Sequence, residues 1–137
     1  MKAKPLTLYT DGASRGNPGP AGAGVIILDG KKKIREISKY LGETTNNIAE
    51  YNAVVFALEE ALALKADEVV IKLDSELVVR QLNGEYKVKD KEIRKLFEKV
   101  LGMLRIFRRF EVRHIERAKN KEADKLANKA INLSSLF

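Results

Sequence analysis

The sequence predicts an α/β protein: one five-stranded mixed sheet with helices packed on it, in the order β-β-β-α-β-α-α-β-α. Three observations predict it. Three strand-like runs follow one another within the first 41 residues with only short turns between them, the signature of an antiparallel meander. From residue 48 onward, segments of helical period alternate with two short β-rich runs, and helical crossovers make those later strands parallel to the first. At 137 residues, with 45% hydrophobic and 33% charged residues and no internal repeat, the chain suits one domain with its own core. The expected division is a single domain over 1–132 and a tail over 133–137.

The first strand opens at Leu6. Leu6, Leu8 and Thr10 lie on one side, and Thr7 and Tyr9 on the other. It runs into Asp11-Gly12 and a loop of Gly, Ser, Asn and Pro that lasts to Pro20. Gly22 to Gly30 forms the second strand and ends in an Asp-Gly turn. Lys31 to Lys33 is the hairpin tip, and Ile34 to Leu41 returns as the third strand. Gly22 and Gly24 predict a bulge or a close backbone approach. The loop Gly42 to Asn47 offers several helix caps, and Asn46 or Asn47 is the expected one.

The strongest helix spans Ile48 to Leu64, with Ile48, Tyr51, Val55, Leu58 and Leu62 recurring at helical spacing. Glu68 to Asp74 is nearly continuous in apolar residues, as in a central strand covered on both faces. A short helix then starts at Asp74 and stops at Asn83-Gly84. After a linker, the helix from Lys91 to about Phe107 carries one stripe of Ile93, Leu96, Phe97, Val100, Leu101 and Leu104. Phe110 to Glu116 is the fifth strand. Asn120 is expected to cap the last helix, with Ala123, Leu126, Ala127, Ala130 and Ile131 inward. The tail either frays or docks Leu136 and Phe137 on the body.

Composition removes several function classes. There is no cysteine, which excludes disulfides and thiolate metal sites and suits a reducing compartment. No apolar run approaches the ~18 residues of a membrane span, and Met1 to Pro5 leads into a strand, not a signal peptide. A cytoplasmic monomer without an obligate protein partner is the expectation. The net charge is +7, and its excess lies late: residues 87–137 hold 15 Lys and Arg against 7 Asp and Glu. Charge alone leaves both a polyanion partner and a heavily charged, heat-stable surface open.

Four carboxylates carry the chemistry. Asp11 is expected to end the first strand and Asp74 the fourth; if those strands are parallel neighbours, both lie at the carboxyl edge where α/β sheets bind ligands. Glu50 and Asp124 fall in the first turns of two helices. Each has a structural alternative: Glu50 as the Glu of a capping box begun by Asn47, Asp74 as an N-cap, Asp124 as a carboxylate at a helix dipole. Together, four anions in one place would raise one another's pKa values unless cations were present. That arrangement fits two divalent ions held by oxygen ligands and in-line phosphoryl displacement. With the basic C-terminal third, it points to a nuclease.

Tyr9-Thr-Asp-Gly-Ala-Ser-Arg-Gly-Asn-Pro-Gly, Thr44-Thr-Asn-Asn-Ile-Ala-Glu-Tyr, Leu73-Asp-Ser and Arg117-Ala-Lys-Asn-Lys-Glu-Ala-Asp-Lys-Leu-Ala resemble, in order and spacing, the motifs of type 1 ribonuclease H. The resemblance covers nearly the whole chain. It implies the ribonuclease H-like fold and endonucleolytic cleavage of the RNA strand of RNA–DNA hybrids, leaving 5′-phosphate and 3′-hydroxyl ends. It implies Mg²⁺ as cofactor, two ions per site with substrate and Mn²⁺ able to substitute, held by Asp11, Glu50, Asp74 and Asp124. It assigns Gly12, Ser14, Asn17, Asn46 and Asn47 to the substrate, the asparagines to RNA 2′-hydroxyls, and Thr45 to a DNA-strand phosphate. A 2′-hydroxyl is what separates RNA from DNA, and an amide can both donate to it and accept from it.

Two departures accompany the resemblance. Asn83 to Asp90 is too short for the basic protrusion of some members, which leaves the grip to residues such as Lys87, Lys89, Lys91, Arg94 and Lys95, or leaves these as a solvated face. His114 stands ten residues before Asp124, where many members have a mobile histidine, but inside the expected strand and on the face of Val112. It therefore reads as a strand or core-edge histidine or as the auxiliary residue, and Arg117 as the better placed cation. The competing functions are a non-catalytic hybrid or double-strand binding module of the same fold, and an integrase-like or polymerase-associated relative.

Overall fold

The structure, a computed structural model, describes residues 5–136. Its strands are β1 (Leu6–Ser14), β2 (Gly19–Asp29), β3 (Lys32–Thr44), β4 (Glu68–Leu73) and β5 (Arg109–His114). Its helices are α1 (Asn46–Ala63), α2 (Glu76–Leu82), α3 (Lys91–Leu104) and α4 (Lys121–Ser134), with a 3₁₀ turn at Arg117–Lys119. The sheet order is β3-β2-β1-β4-β5. The first three strands are antiparallel, and β1, β4 and β5 run parallel, as the crossovers require. This is the predicted α/β architecture.

α1 lies on one face of the sheet with α3 outside it, and α4 covers the opposite face over β1, β2 and β3. The alternation in β1 gives the reason. Leu6 and Leu8 point into the core beneath α1, and Asp11 falls on the α4 side. α1 is buried on more than one side (Tyr51, Val54, Val55, Leu58, Ala61) because it is sandwiched between sheet and α3. Buried Ile93, Val100 and Leu104 of α3 belong to the predicted stripe. Gly22 and Gly24 meet both expectations. A Cβ on either would overlap the carbonyl oxygen of Ala127 or Ala123 in α4, and the β2–β3 register shifts between Ala21 and Gly22.

Several boundaries differ from the sequence reading. β1 does not end at Asp11. The strand continues to Ser14 because β2 pairs with it throughout, Asp11 opposite Gly24 and Ser14 opposite Ala21. The parallel ladder with β4 stops earlier, at Tyr9 opposite Lys72, so Asp11 still projects beyond the end of β4. Neither Asn46 nor Asn47 caps α1: Thr45 does, accepting from the Ile48 N–H at 3.3 Å. Likewise Ser75, not Asp74, caps α2. Asn120 precedes α4 without a capping bond, because its amide instead donates to the Thr10 carbonyl at 2.8 Å.

α3 stops at Leu104, three residues early, and the chain turns so that the Arg108 N–H reaches the Asp67 carbonyl. β5 consequently starts at Arg109 and ends at His114, two residues short. α4 runs to Ser134, across the expected boundary at 132, because its terminal turns continue without a breaker. Leu136 is 72% exposed and does not dock. Phe137 lies outside the described residues.

Candidate metal centre and nucleic-acid interface

The site forms where β1 and β4 leave the sheet and where α1 and α4 begin. Gly12 controls the approach of α1. A Cβ there would overlap the Ala49 backbone, and its absence lets the Gly12 N–H donate to Glu50 Oε1 at 2.6 Å. Glu50 is therefore pulled toward β1, and no capping bond with Asn47 forms. With Ser75 taking the capping role, the Asp74 carboxylate is spared for the cavity.

One carboxylate oxygen each from Asp11, Glu50 and Asp74 lies within 4.8 Å of the other two. Asp124 falls outside that tight group but lines the same open cavity of about 410 Å³, close enough to raise the Asp11 carboxyl. The structure thus brings all four acids together, three of them closely. Asp11 and Glu50 are buried, at 5% and 3% exposure.

Burial, then the charge of Glu50, pushes the Asp11 carboxyl far above the usual carboxylate range. Burial also raises Glu50, against the opposing effects of the neighbouring Asp11 carboxyl and the Gly12 N–H bond. Asp74 is raised by burial, and the Arg117 guanidinium partly offsets this. Glu50 Oε2 is buried with no hydrogen-bond partner among the described residues. Hard oxygen donors, crowded, desolvated and one of them orphaned, fit a divalent cation such as Mg²⁺.

Arg117, in the 3₁₀ turn, lines the cavity and acts electrostatically on both Glu50 and Asp74. His114 is the last residue of β5, as the strand reading expects, but it is exposed and not at the edge of the core. Its register opposite Leu73 puts it at the same sheet edge, close enough for its charge to act on Asp74.

The remaining residues assigned to substrate flank the carboxylates. Asn17 Oδ1 accepts from the Asn46 N–H at 3.2 Å, which leaves the Asn17 amide hydrogens free. Asn46 and Asn47 are exposed at the start of α1, where N–H groups point outward. Thr45 uses an oxygen lone pair for its cap and keeps its hydroxyl hydrogen. The single Ser14 hydroxyl hydrogen lies within reach of the carbonyls of Gly16 and, at 2.8 Å, Thr44, so it braces the loop and leaves Ser14 only acceptor capacity. The Gly12 N–H is committed to Glu50. Lys87, Lys89, Lys91, Arg94 and Lys95 are exposed, and Arg94 is paired with Glu98 at 3.2 Å. α2 ends at Leu82 and α3 begins at Lys91 with no protrusion between them.

Sequence reasoning missed Arg15 and Asn128. Arg15 Nη2 donates to Asn132 Oδ1 at 2.6 Å and Asn128 Oδ1 at 3.5 Å. Asn128 Nδ2 donates to the Asp124 carbonyl at 3.0 Å and Asp124 Oδ1 at 3.2 Å. The i, i+4 spacing of 124, 128 and 132 was the available signal for the α4 part.

Residues 9–130 match a family model described as reverse transcriptase-like. The chain is 38% identical over 132 residues to a bifunctional protein of Mycobacterium tuberculosis, covering 95% of this chain and 36% of that one. It is 40% identical over 125 residues to ribonuclease HI of Halobacterium salinarum, covering 90% and 63%. The chain thus spans about a third of the mycobacterial relative and under two thirds of the haloarchaeal one. Its fold is similar to the crystal structure of RNase H1 from Halobacterium salinarum, with a TM-score of 0.91 at 38% identity over 94% of this chain and 98% of that one. It is also similar to LC11-RNase H1 in complex with an RNA/DNA hybrid, with a TM-score of 0.89 at 44% identity over 94% and 98%. With the motif order, the strand order and the acidic edge all in agreement, the chain belongs to the type 1 ribonuclease H family, in its compact form without the basic protrusion.

Proposed function

We propose that this protein hydrolyses the RNA strand of RNA–DNA hybrids endonucleolytically, leaving 5′-phosphate and 3′-hydroxyl ends, with two divalent cations, Mg²⁺ or Mn²⁺, at the acidic edge. The observation that carries the proposal is the convergence of Asp11, Glu50 and Asp74 within 4.8 Å. A site built only to bind nucleic acid gains nothing from concentrating buried negative charge against a polyanion. Bound there, divalent cations supply an ionised water near neutral pH and polarise the phosphate.

Asp11, Glu50, Asp74 and Asp124 hold the ions. The Gly12 N–H orients Glu50 by a fixed bond, so its carboxylate needs no rearrangement on binding. Arg117, at the cavity wall, offsets negative charge near Asp74 and meets the phosphate or helps it leave; His114, at the neighbouring edge, is the alternative for that auxiliary role. Asn17, Asn46 and Asn47, with Gly12 and Ser14, face the RNA, and the Thr45 hydroxyl donates to a DNA-strand phosphate at the start of α1. The exposed lysines after residue 86 contribute phosphate contacts.

No helix among the described residues is long and apolar enough to cross a membrane. The deciding experiment incubates end-labelled RNA–DNA, RNA–RNA and DNA–DNA duplexes with Mg²⁺ or Mn²⁺. Cutting confined to the RNA of the hybrid is expected. Tight hybrid binding without any cleavage would instead make the protein a binding module.

A further inference from the structure

We propose that Asn128 is a positioning residue for Asp124, itself held by Arg15, so that the loop facing RNA and the one carboxylate outside the tight group of three are braced as one unit. Asp124 is half-buried and lies outside the tight group of three. Repulsion from Asp11, Glu50 and Asp74 favours its swing toward solvent. Among the described residues, Asn128 Nδ2 is the hydrogen-bond donor that holds Asp124 Oδ1 outside the carboxyl cluster, and the same amide grips the Asp124 backbone carbonyl one turn back.

The orientation of that amide is determined by its surroundings. Its nitrogen faces two acceptors, and its oxygen faces the Arg15 guanidinium. A flipped amide would lose all three contacts. Arg15 is held in turn: its backbone N–H bonds the Pro20 carbonyl at 2.9 Å, and its guanidinium bonds Asn132. Two residues on, Asn17 ties the same loop to α1. The loop therefore bridges the start of α1, which carries Glu50, and the exposed side of α4, which carries Asp124, meeting α4 at Asn128 and, one turn on, at Asn132.

The proposal rests on Asp124 being a cation ligand, and the test separates the two. Mn²⁺ affinity is measured by calorimetry on the free protein, and Mg²⁺ activation, kcat and KM are measured on a hybrid, for the parent, Asn128→Ala, Arg15→Ala and Asp124→Asn. Partners of metal ligands typically alter affinity or activity by about 10- to 100-fold. Asn128→Ala is expected to weaken Mn²⁺ binding and raise the Mg²⁺ midpoint by about 10-fold, with hybrid KM unchanged. Arg15→Ala is expected to shift both in the same direction by less; as a surface change, it remains readable if Asn128→Ala unfolds.

A residue that merely stabilises α4 would lower the melting temperature and leave both metal readouts in place; that result overturns the proposal. So does a rise in hybrid KM alone, which would make Asn128 a substrate contact. If Asp124→Asn also leaves the metal readouts unmoved, the assignment of Asp124 itself fails and the proposal falls with it. If Asp124→Asn shifts them and neither other variant does, only the positioning role is lost.

Discussion

Replacing Asp11 by Asn should abolish cleavage and, without divalent cations, make the protein more stable. Burial and then the charge of Glu50 push the Asp11 carboxyl up to about 10, from an ordinary value of 3.8. The folded protein therefore keeps a proton at pH 7 that the unfolded chain has released. Each pH unit between the ordinary range and the working pH is worth about 1.4 kcal/mol, or about 4 kcal/mol at pH 7. The coupling of Asp11 to Glu50 reduces the penalty to on the order of 2 kcal/mol, a melting shift on the order of 8 °C for a domain of this size.

The sign follows from the raised folded value. The parent holds its full stability below the unfolded carboxylate range and loses it as pH rises toward the folded value. Asp11→Asn, which carries no charge there, escapes that loss. Differential scanning fluorimetry in EDTA from about pH 4 to pH 9 should show the two proteins converging at the acid end and the variant melting higher at the alkaline end. Millimolar Mg²⁺ should narrow the gap by binding the parent. A variant that melts at or below the parent across the range in EDTA would refute the repulsion argument. Mg²⁺-dependent cleavage by the variant would refute the site.

Arg117→Ala removes the cation that holds Asp74 and Glu50 down, so both carboxyls rise and the acid limb of the pH–rate profile moves to higher pH; an unshifted limb with unchanged turnover removes Arg117 from the site. Gly24→Ala drives a Cβ into the Ala123 carbonyl and should cost about 3 kcal/mol or more, seen as a lower denaturation midpoint in urea; a neutral result would mean α4 sits farther from β2. Hybrid binding by Asp11→Asn, followed by filter retention across a salt series, should weaken steeply. Each Lys→Ala change among Lys87, Lys89, Lys91 and Lys95 that removes a phosphate contact should reduce the slope by about one. A flat salt profile would place the grip elsewhere.

Legibility of the chain followed the range of each interaction. Alternation at Leu6 and Leu8, the helical stripes of α1 and α3, and the glycines at 22 and 24 all express local geometry against one covering layer. Boundaries were less legible where a distant partner decided them. Strand β1 outlasts Asp11 because β2 pairs with it, and α3 stops early because Arg108 finds Asp67 and Glu68. Caps were misassigned for a similar reason. Thr45, Asn46 and Asn47 are all competent caps by type, and the entry of the chain from β3 selects Thr45.

The sequence by itself determined the composition of the site: four acids, each beside a strand end or in a first helical turn, and a basic last third. Those are statements about residue type and short spacing, which a linear chain carries directly. The convergence of the four acids required the tertiary structure. Glu50 meets Gly12 across 38 residues of chain, and Arg15 meets Asn132 across 117. Such contacts exist only once α1 and α4 have docked on opposite faces of one sheet. That docking turns four separately ordinary carboxylates into a partly buried anionic cluster in need of cations.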